Sequence, residues 1–168
     1  MSSPLSQELK GKLEGAKRVV LLGVGSELRS DDAAGLIAAR AFRSALPRRK
    51  DLLVLEGGSA PENFTGEILR FEASHLVVVD CADLGLEPGS IRLIPSEEIK
   101  GLSSSTHSLP LSIILAYLDR CHACETIVIG IQPSGLEFDG KPSKEARRAA
   151  AQVARLLVRA ARGMNARG

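Results

Sequence analysis

Apolar and polar positions along the chain follow two different periods. Unbroken apolar runs of strand length occur at 17–23, 51–56, 75–80 and 126–131, as in strands buried on both faces. A short alternating segment at 91–95 is typical of an edge strand. Between these runs, apolar residues recur at helical spacing. The predicted helices are 6–14, 32–46, 62–71, 108–120 and 143–162.

The order of these elements predicts the fold class. Strands that alternate with helices, and that are apolar throughout, indicate a mostly parallel sheet with both faces covered. We therefore expect a single three-layer α/β/α domain over residues 1–168, with a leading helix within 1–16 and a disordered tail at 163–168. In such sheets ligands bind beyond the carboxyl ends of the strands.

Composition and charge exclude several classes of partner. Of the 22 basic and 20 acidic residues, seven basic and one acidic fall within 144–168, where apolar residues keep helical spacing. This pattern indicates an amphipathic helix with a solvated arginine face. With four Phe, one Tyr and no Trp, no stacking platform for nucleic acid is expected. No apolar run approaches the roughly 20 residues that span a bilayer, and no signal core is present, so we expect a cytoplasmic protein without a membrane partner.

Chemistry-bearing residues collect where the predicted strands end. Asp32 follows the first strand, Asp80 ends the third, and His107 lies in the loop before the fourth predicted helix. Two carboxylates and one imidazole make a ligand set suited to a divalent transition metal, and three protein ligands leave positions open for water or substrate. Each residue alone also fits a structural role: a helix-start acid, a loop-bonding acid and a loop histidine.

A nucleotide site is a second interpretation of the same region. Gly23 and Gly25 match the start of a dinucleotide fingerprint, and Glu56 could act as the ribose-binding acid. Leu28 occupies the position of the third glycine, however, and acids at the start of the following helix would repel a phosphate. This interpretation is weakened and stays open.

The three cysteines do not form a recognisable framework. An odd count suggests a reducing compartment. Cys121 and Cys124 make one CxxC pair, and a structural zinc site would need a second pair, which Cys81 alone does not supply. The pair also follows a predicted helix rather than opening one, which disfavours a redox role. We predict two ordinary thiols.

Five ordered segments resemble the motifs of the nickel–iron hydrogenase maturation endopeptidases. They are GVGSELRSDDAAG at 23–35, EGGSA at 56–60, VDCA at 79–82, THSL at 106–109 and GIQP at 130–133. The likeness covers residues 17 to about 160. Ser26 replaces a usual Asn, Ala33 a usual Gly and Glu56 a usual Asp.

The resemblance implies a fold and a task. The fold is a five-stranded mixed sheet between helices with one antiparallel edge strand, which agrees with the segment at 91–95. The task is that of an aspartic-type endopeptidase, which removes a C-terminal extension from the nickel-loaded precursor of a hydrogenase large subunit. By the same resemblance, Asp32, Asp80 and His107 are the metal ligands and the catalytic residues, whereas Asp31 is not a ligand.

The resemblance also implies where the metal and the substrate lie. Nickel is expected to arrive with the precursor, so no metal or other cofactor is permanently bound. The ion would polarise the scissile carbonyl or lower the pKa of a bound water, and one aspartate would act as general base. Glu56, Gly57 and Gly58 would seat the cleavage segment. A non-catalytic module that senses or delivers nickel is the rival hypothesis.

Overall fold

The computed structural model describes residues 3–100 and 109–165. Five strands form one sheet in the order β2-β1-β3-β5-β4, and all neighbouring pairs are parallel except β4 with β5. The strands are β1 (Val19–Val24), β2 (Leu52–Gly58), β3 (His75–Cys81), β4 (Ile91–Ile94) and β5 (Glu125–Ile131). The mostly parallel sheet with one antiparallel edge strand is confirmed.

Helices connect the strands, as the alternating pattern predicts. They are α1 (Pro4–Lys12), α2 (Ala34–Ala45), α3 (Thr65–Phe71), α4 (Ser96–Ile99), α5 (Leu111–Cys121) and α6 (Lys144–Asn165), with 3₁₀ turns at Ser30–Ala33 and Pro61–Phe64. The predicted start of α2 is therefore a 3₁₀ turn. The one-turn α4 has too few residues for a periodic signal. The predicted disordered tail at 163–168 is wrong for its first three residues, because α6 continues to Asn165.

The side chains of each strand alternate between two cores, which makes the three layers. Leu21 and Val77 point into a core closed by α1, α2 and α6, whereas Leu22 and Val78 point into a core closed by α3 and α5. The long helix α6 contributes a narrow apolar face that lets it lie close to the sheet. That face comprises Ala146, Ala149, Ala150, Val153, Ala154 and Leu157. Arg148, Arg155 and Arg159 are exposed on α6, as expected for its solvated face.

The strand order places a switch point between β1 and β3. From β1 the chain passes to β2 on one side, and it then crosses back to β3 on the other side of β1. The loops after β1 and β3 therefore diverge, which leaves a crevice at the carboxyl ends of these strands. Within residues 3–100 and 109–165, no helix has the length and apolar character needed to cross a membrane.

Candidate active site at the switch point

Two glycines bring the start of α2 directly against the ends of β1 and β3. A Cβ placed on Gly35 would lie 2.2 Å from the carbonyl oxygen of Val24 and 2.3 Å from that of Val79. A Cβ on Gly25 would lie 1.8 Å from the carbonyl oxygen of Asp32, and Gly25 has a φ of +135°. Side chains at these positions would push the helix away from the strands. Asp32 therefore sits at the junction of β1 and β3.

The structure brings Asp32 and Asp80 to the same place. Both are buried, with 1% and 3% of their surface exposed. The backbone N–H of Ser26 donates to Asp32 Oδ2 at 2.9 Å, which orients that carboxylate. Asp80 is the sixth residue of β3, one position beyond the pair formed by Gly23 and Val79. The two predicted carboxylates thus lie at the carboxyl ends of the neighbouring strands β1 and β3, and their role as ligands stays a prediction.

The thiol of Cys81 lies beside Asp80 at the end of β3 and is affected by the charges of the site. Burial raises the pKa of the Cys81 thiol, and the negative charges of Asp80, Asp32 and Asp31 raise it further. The charges of all three carboxylates therefore reach the buried end of β3, where Asp80 and Cys81 lie. The thiol stays protonated at neutral pH, so it is not a nucleophile in this state.

His107, the third predicted ligand, lies outside the described residues. The described chain resumes at residue 109, just before α5 begins at Leu111. Among residues 3–100 and 109–165, no group of three or more His, Cys, Asp or Glu side chains is arranged to hold a metal ion. That part of the chain contributes the two carboxylates of the predicted set.

Asp31 has a different environment from its neighbour Asp32. Its carboxylate is completely buried and accepts three hydrogen bonds. They come from the backbone N–H of Ser134 at 2.7 Å, the backbone N–H of Ser143 at 2.6 Å and Ser143 Oγ at 2.9 Å. Ser143 Oγ in turn accepts from the N–H of Ala146 in the first turn of α6. Asp31 therefore ties the β1 loop to the β5 loop and to α6, a role that no local sequence signal indicates.

The loops after β1 and β5 form one structure, which we call the rim (residues 26–31 and 133–143). The N–H of Asp139 donates to the carbonyl oxygen of Leu28 at 2.7 Å, and Ser30 Oγ donates to that of Lys141 at 3.1 Å. β3 lies between β1 and β5, so these loops meet across the end of β3. The rim therefore borders the end of the strand that carries Asp80. Sequence reasoning did not find it.

Glu56 is already paired with two arginines of α2. Its carboxylate accepts from Arg40 Nε at 2.7 Å and from Arg43 Nη1 at 2.6 Å, and Arg40 also contacts Glu27. Burial raises the pKa of Glu56, but the hydrogen bonds from Arg40 and Arg43 outweigh it and hold the pKa below its usual value. Glu56 is thus a charged, oriented side chain at the end of β2.

Gly57 and Gly58 follow Glu56 and join β2 to the β1 loop. A Cβ on Gly57 would lie 2.8 Å from Leu22 Cδ1, and Gly58 has a φ of +61°. The carbonyl oxygen of Gly58 accepts from the N–H of Gly25 at 3.0 Å. The predicted cleavage-segment positions and the carboxylate site therefore share one connected backbone, while the role of these three residues toward a substrate stays a prediction.

The first-loop geometry also bears on the nucleotide interpretation. A dinucleotide site needs free backbone N–H groups where the first loop meets its helix. Here the N–H of Ser26 is bonded to the Asp32 carboxylate, and two buried acids occupy the turn. A phosphate would have to displace a carboxylate.

Comparison with known proteins points to one family. A family model described as hydrogenase maturation protease (HycI) matches residues 38–160, which include Asp80 and begin shortly after Asp32. A putative hydrogenase maturation protease of Methanocaldococcus jannaschii is 33% identical over 140 residues, which is 80% of this chain and 83% of that protein. The hydrogenase 3 maturation protease of Escherichia coli K12 is 37% identical over 120 residues, 71% of this chain and 75% of that protein.

Solved structures agree. The crystal structure of the [NiFe] hydrogenase maturation protease HycI from Thermococcus kodakarensis superposes with a TM-score of 0.84 at 30% identity, over 92% of this chain and 99% of that one. The solution structure of the endopeptidase HycI from Escherichia coli gives 0.74 at 34% identity, over 84% and 89%.

Proposed function

This chain belongs to the hydrogenase maturation protease family and is a peptidase, and from that premise we propose its substrate and its chemistry. It removes a C-terminal extension from the nickel-loaded precursor of a nickel–iron hydrogenase large subunit. The observation that carries this proposal is the meeting of Asp32 and Asp80, both buried, at the switch point between β1 and β3. The free cysteines of the chain support a cytoplasmic location for this reaction.

In this proposal, Asp32, Asp80 and His107 hold the nickel that the precursor brings. The donor chemistry fits, because two carboxylates and an imidazole suit a divalent transition metal. Carboxylates buried at one end of a sheet cost free energy, and a bound cation would lower that cost. When bound, the ion supplies a Lewis acid next to the scissile carbonyl and an activated water.

The chain's own residues supply orientation and proton transfer. The N–H of Ser26 fixes the carboxylate of Asp32, so that its second oxygen has a defined direction. One of the two carboxylates accepts the proton of the attacking water. The protonated Cys81 thiol leaves this role to the carboxylates.

The end of β2 seats the cleavage segment. Glu56 is held by Arg40 and Arg43, so its position is set before the substrate arrives. Gly58 carries no side chain that would block a polypeptide beside it, and Gly57 lets β2 pack against Leu22 just before that point. Because Gly58 is bonded to Gly25, a segment held there lies next to the loop that carries Asp32.

The sharpest test of this proposal asks where the metal comes from. Two carboxylates and one imidazole hold a hydrated ion weakly, so we expect the purified protein to contain almost no metal. The test incubates it with nickel-loaded and with nickel-free precursor, in the presence of a chelator that removes loose ions. Cleavage of the loaded form alone is the expected result, read as a mass loss at the C-terminus.

Other results would contradict the proposal in different ways. Equal cleavage of both forms would indicate a peptidase that does not inspect nickel. Binding of the loaded precursor without any cut would favour a nickel-sensing or nickel-delivery module. Thermal stabilisation by NAD or ATP, but not by Ni²⁺, would favour a nucleotide site.

A further inference from the structure

The rim exposes two large apolar side chains on neighbouring stretches of backbone. Leu28 is 60% exposed and Phe138 is 73% exposed. Phe138 precedes Asp139, whose N–H donates to the carbonyl oxygen of Leu28 at 2.7 Å, so the two residues come from different loops but share one site. Single exposed apolar residues are ordinary, whereas an adjacent pair beside a site is typical of an interaction surface.

The backbone of the rim holds these side chains out. Ser30 and Asp139 have φ angles of 48° and 62°, in the left-handed region that residues other than glycine adopt less often. Beneath them, the Asp31 carboxylate anchors both loops through Ser134 and Ser143. Hydrogen bonds therefore tie the two loops to each other and to the start of α6.

The position of the pair indicates what it meets. The rim crosses the end of β3, the strand that carries Asp80, and it starts from the loop that holds Asp32. A polypeptide held at the end of β2 and running over the carboxylates toward β5 meets this edge. The rim also carries charged residues, among them Glu27, Arg29 and Lys141, and apolar residues mixed with polar ones are typical of interfaces.

We propose that Leu28 and Phe138 together hold an apolar side chain of the hydrogenase large-subunit precursor close to its cleaved bond, and so set affinity for the substrate rather than the rate of the cut. This inference rests on the function proposed above. A chain that only sampled free nickel would have no use for an apolar pair at this edge. A polypeptide substrate gains from it, because an apolar side chain is removed from water when it docks.

The test compares Leu28→Ser, Phe138→Ser and the double variant with Tyr117→Ser. Tyr117 is a matched control, because it is 51% exposed and lies in the second half of α5, away from the rim.

The substrate is the nickel-loaded large-subunit precursor from the organism that makes this chain. KM and kcat are measured by C-terminal mass loss, and Kd is measured for the same rim variants in an Asp80→Asn background, where the cut is blocked. Each single change should raise KM and Kd about tenfold, and the double change about a hundredfold. We expect kcat to stay within twofold and the melting temperature to be unchanged.

The outcomes separate this inference from the proposed function. An unchanged KM and Kd in the double variant, with wild-type cleavage intact, would overturn the inference alone. A fall in kcat without a change in KM would also overturn it, because the pair would then position reacting groups. A dimer that the double change converts to a monomer, with precursor affinity intact, would assign the surface to a second copy of this chain. Wild-type protein that binds the precursor through Leu28 and Phe138 but never cuts it would contradict the proposed function and leave the docking surface standing.

Discussion

The two ends of the sheet differ in how many polar side chains they bury. In the part of the chain that the structure describes, six polar or charged residues are buried, and five of them lie at the carboxyl end of the strands. Those five are Ser30, Asp31, Asp32, Asp80 and Gln132. The amino end buries His75, whose pKa is lowered by burial so that it stays neutral near pH 7. Buried negative charge is thus confined to one end.

The backbone shows the same asymmetry. At the carboxyl end, Ser30 and Asp139 adopt left-handed conformations within connecting loops. At the amino end, Glu72 has a positive φ, but it caps the end of α3, where that conformation is ordinary. Ser74 Oγ there accepts from the N–H groups of Lys17 and Arg18 and so closes the loops without charge. In the described residues, the buried carboxylates and the left-handed loop residues thus lie at the carboxyl end of the sheet. In folds of this type, that end is where ligands bind.

The largest expected effect comes from the paired carboxylates. Asp32→Asn or Asp80→Asn keeps the shape of the side chain but removes a charge that holds the ion or accepts the proton. We expect processing to fall by about a thousandfold or more for either variant, with His107→Ala equally severe. Cleavage of the nickel-loaded precursor is measured beside thermal unfolding.

Asp51→Asn is the matched control, because Asp51 precedes β2 at the amino end. The hydrogen bond from Arg49 holds the pKa of Asp51 below its usual value. The stabilisation from this pair is therefore complete above the usual pKa of an aspartate, and it is lost as the pH falls through the lowered pKa. The control should cleave normally at neutral pH. Wild-type activity in a folded Asp80→Asn variant would exclude Asp80 from the reaction.

A smaller effect on activity, and a larger one on stability, is expected for Asp31→Asn. The new amide would place an NH₂ group against the N–H of Ser134 or Ser143, which now donate at 2.7 and 2.6 Å. Hydrogen bonds to a buried charged group are worth about 1.5–3 kcal/mol each, so the free energy of unfolding should drop by about 2–4 kcal/mol. Denaturant titration measures it, and Ser143→Ala should reproduce part of the loss. An Asp31→Asn variant of full stability but without activity would place Asp31 among the reacting groups instead.

The smallest effect is expected at the amino end, where the CxxC pair lies. Cys121 is the last residue of α5, and Cys124 immediately precedes β5. Both thiols are free, and burial raises the pKa of Cys124. The double change Cys121→Ser with Cys124→Ser should leave kcat/KM within about twofold of wild type under reducing conditions. If the double change abolished activity and also removed one bound zinc ion per chain, this prediction would be wrong. The amino end of the sheet would then hold a functional site as well.

The architecture and the region of the site can be predicted from the amino-acid sequence. Strand and helix periods, the mostly parallel sheet, its edge strand at Ile91–Ile94 and the placement of Asp32 and Asp80 at one end of the sheet follow from patterns within short segments, whereas the antiparallel direction of the edge strand came from the resemblance. Such patterns report local burial, and the carboxyl ends of parallel strands necessarily share one edge. The predicted helix boundaries differ from the structure by up to three residues, at the starts of α3 and α5 and at the end of α6, because end turns are short and vary in geometry.

The differences among the residues of the site arise from contacts between distant parts of the chain. In the residue pattern, Asp31 and Asp32 are equivalent acids at the start of a helix, and only the resemblance separated them. Their distinction comes from Ser134 and Ser143, which lie 103 and 112 residues further along the chain. Likewise, the rim exists because the β1 and β5 loops meet across β3. Hydrogen-bond partners so far apart in the chain are chosen by packing of the whole sheet, and no local period carries that information.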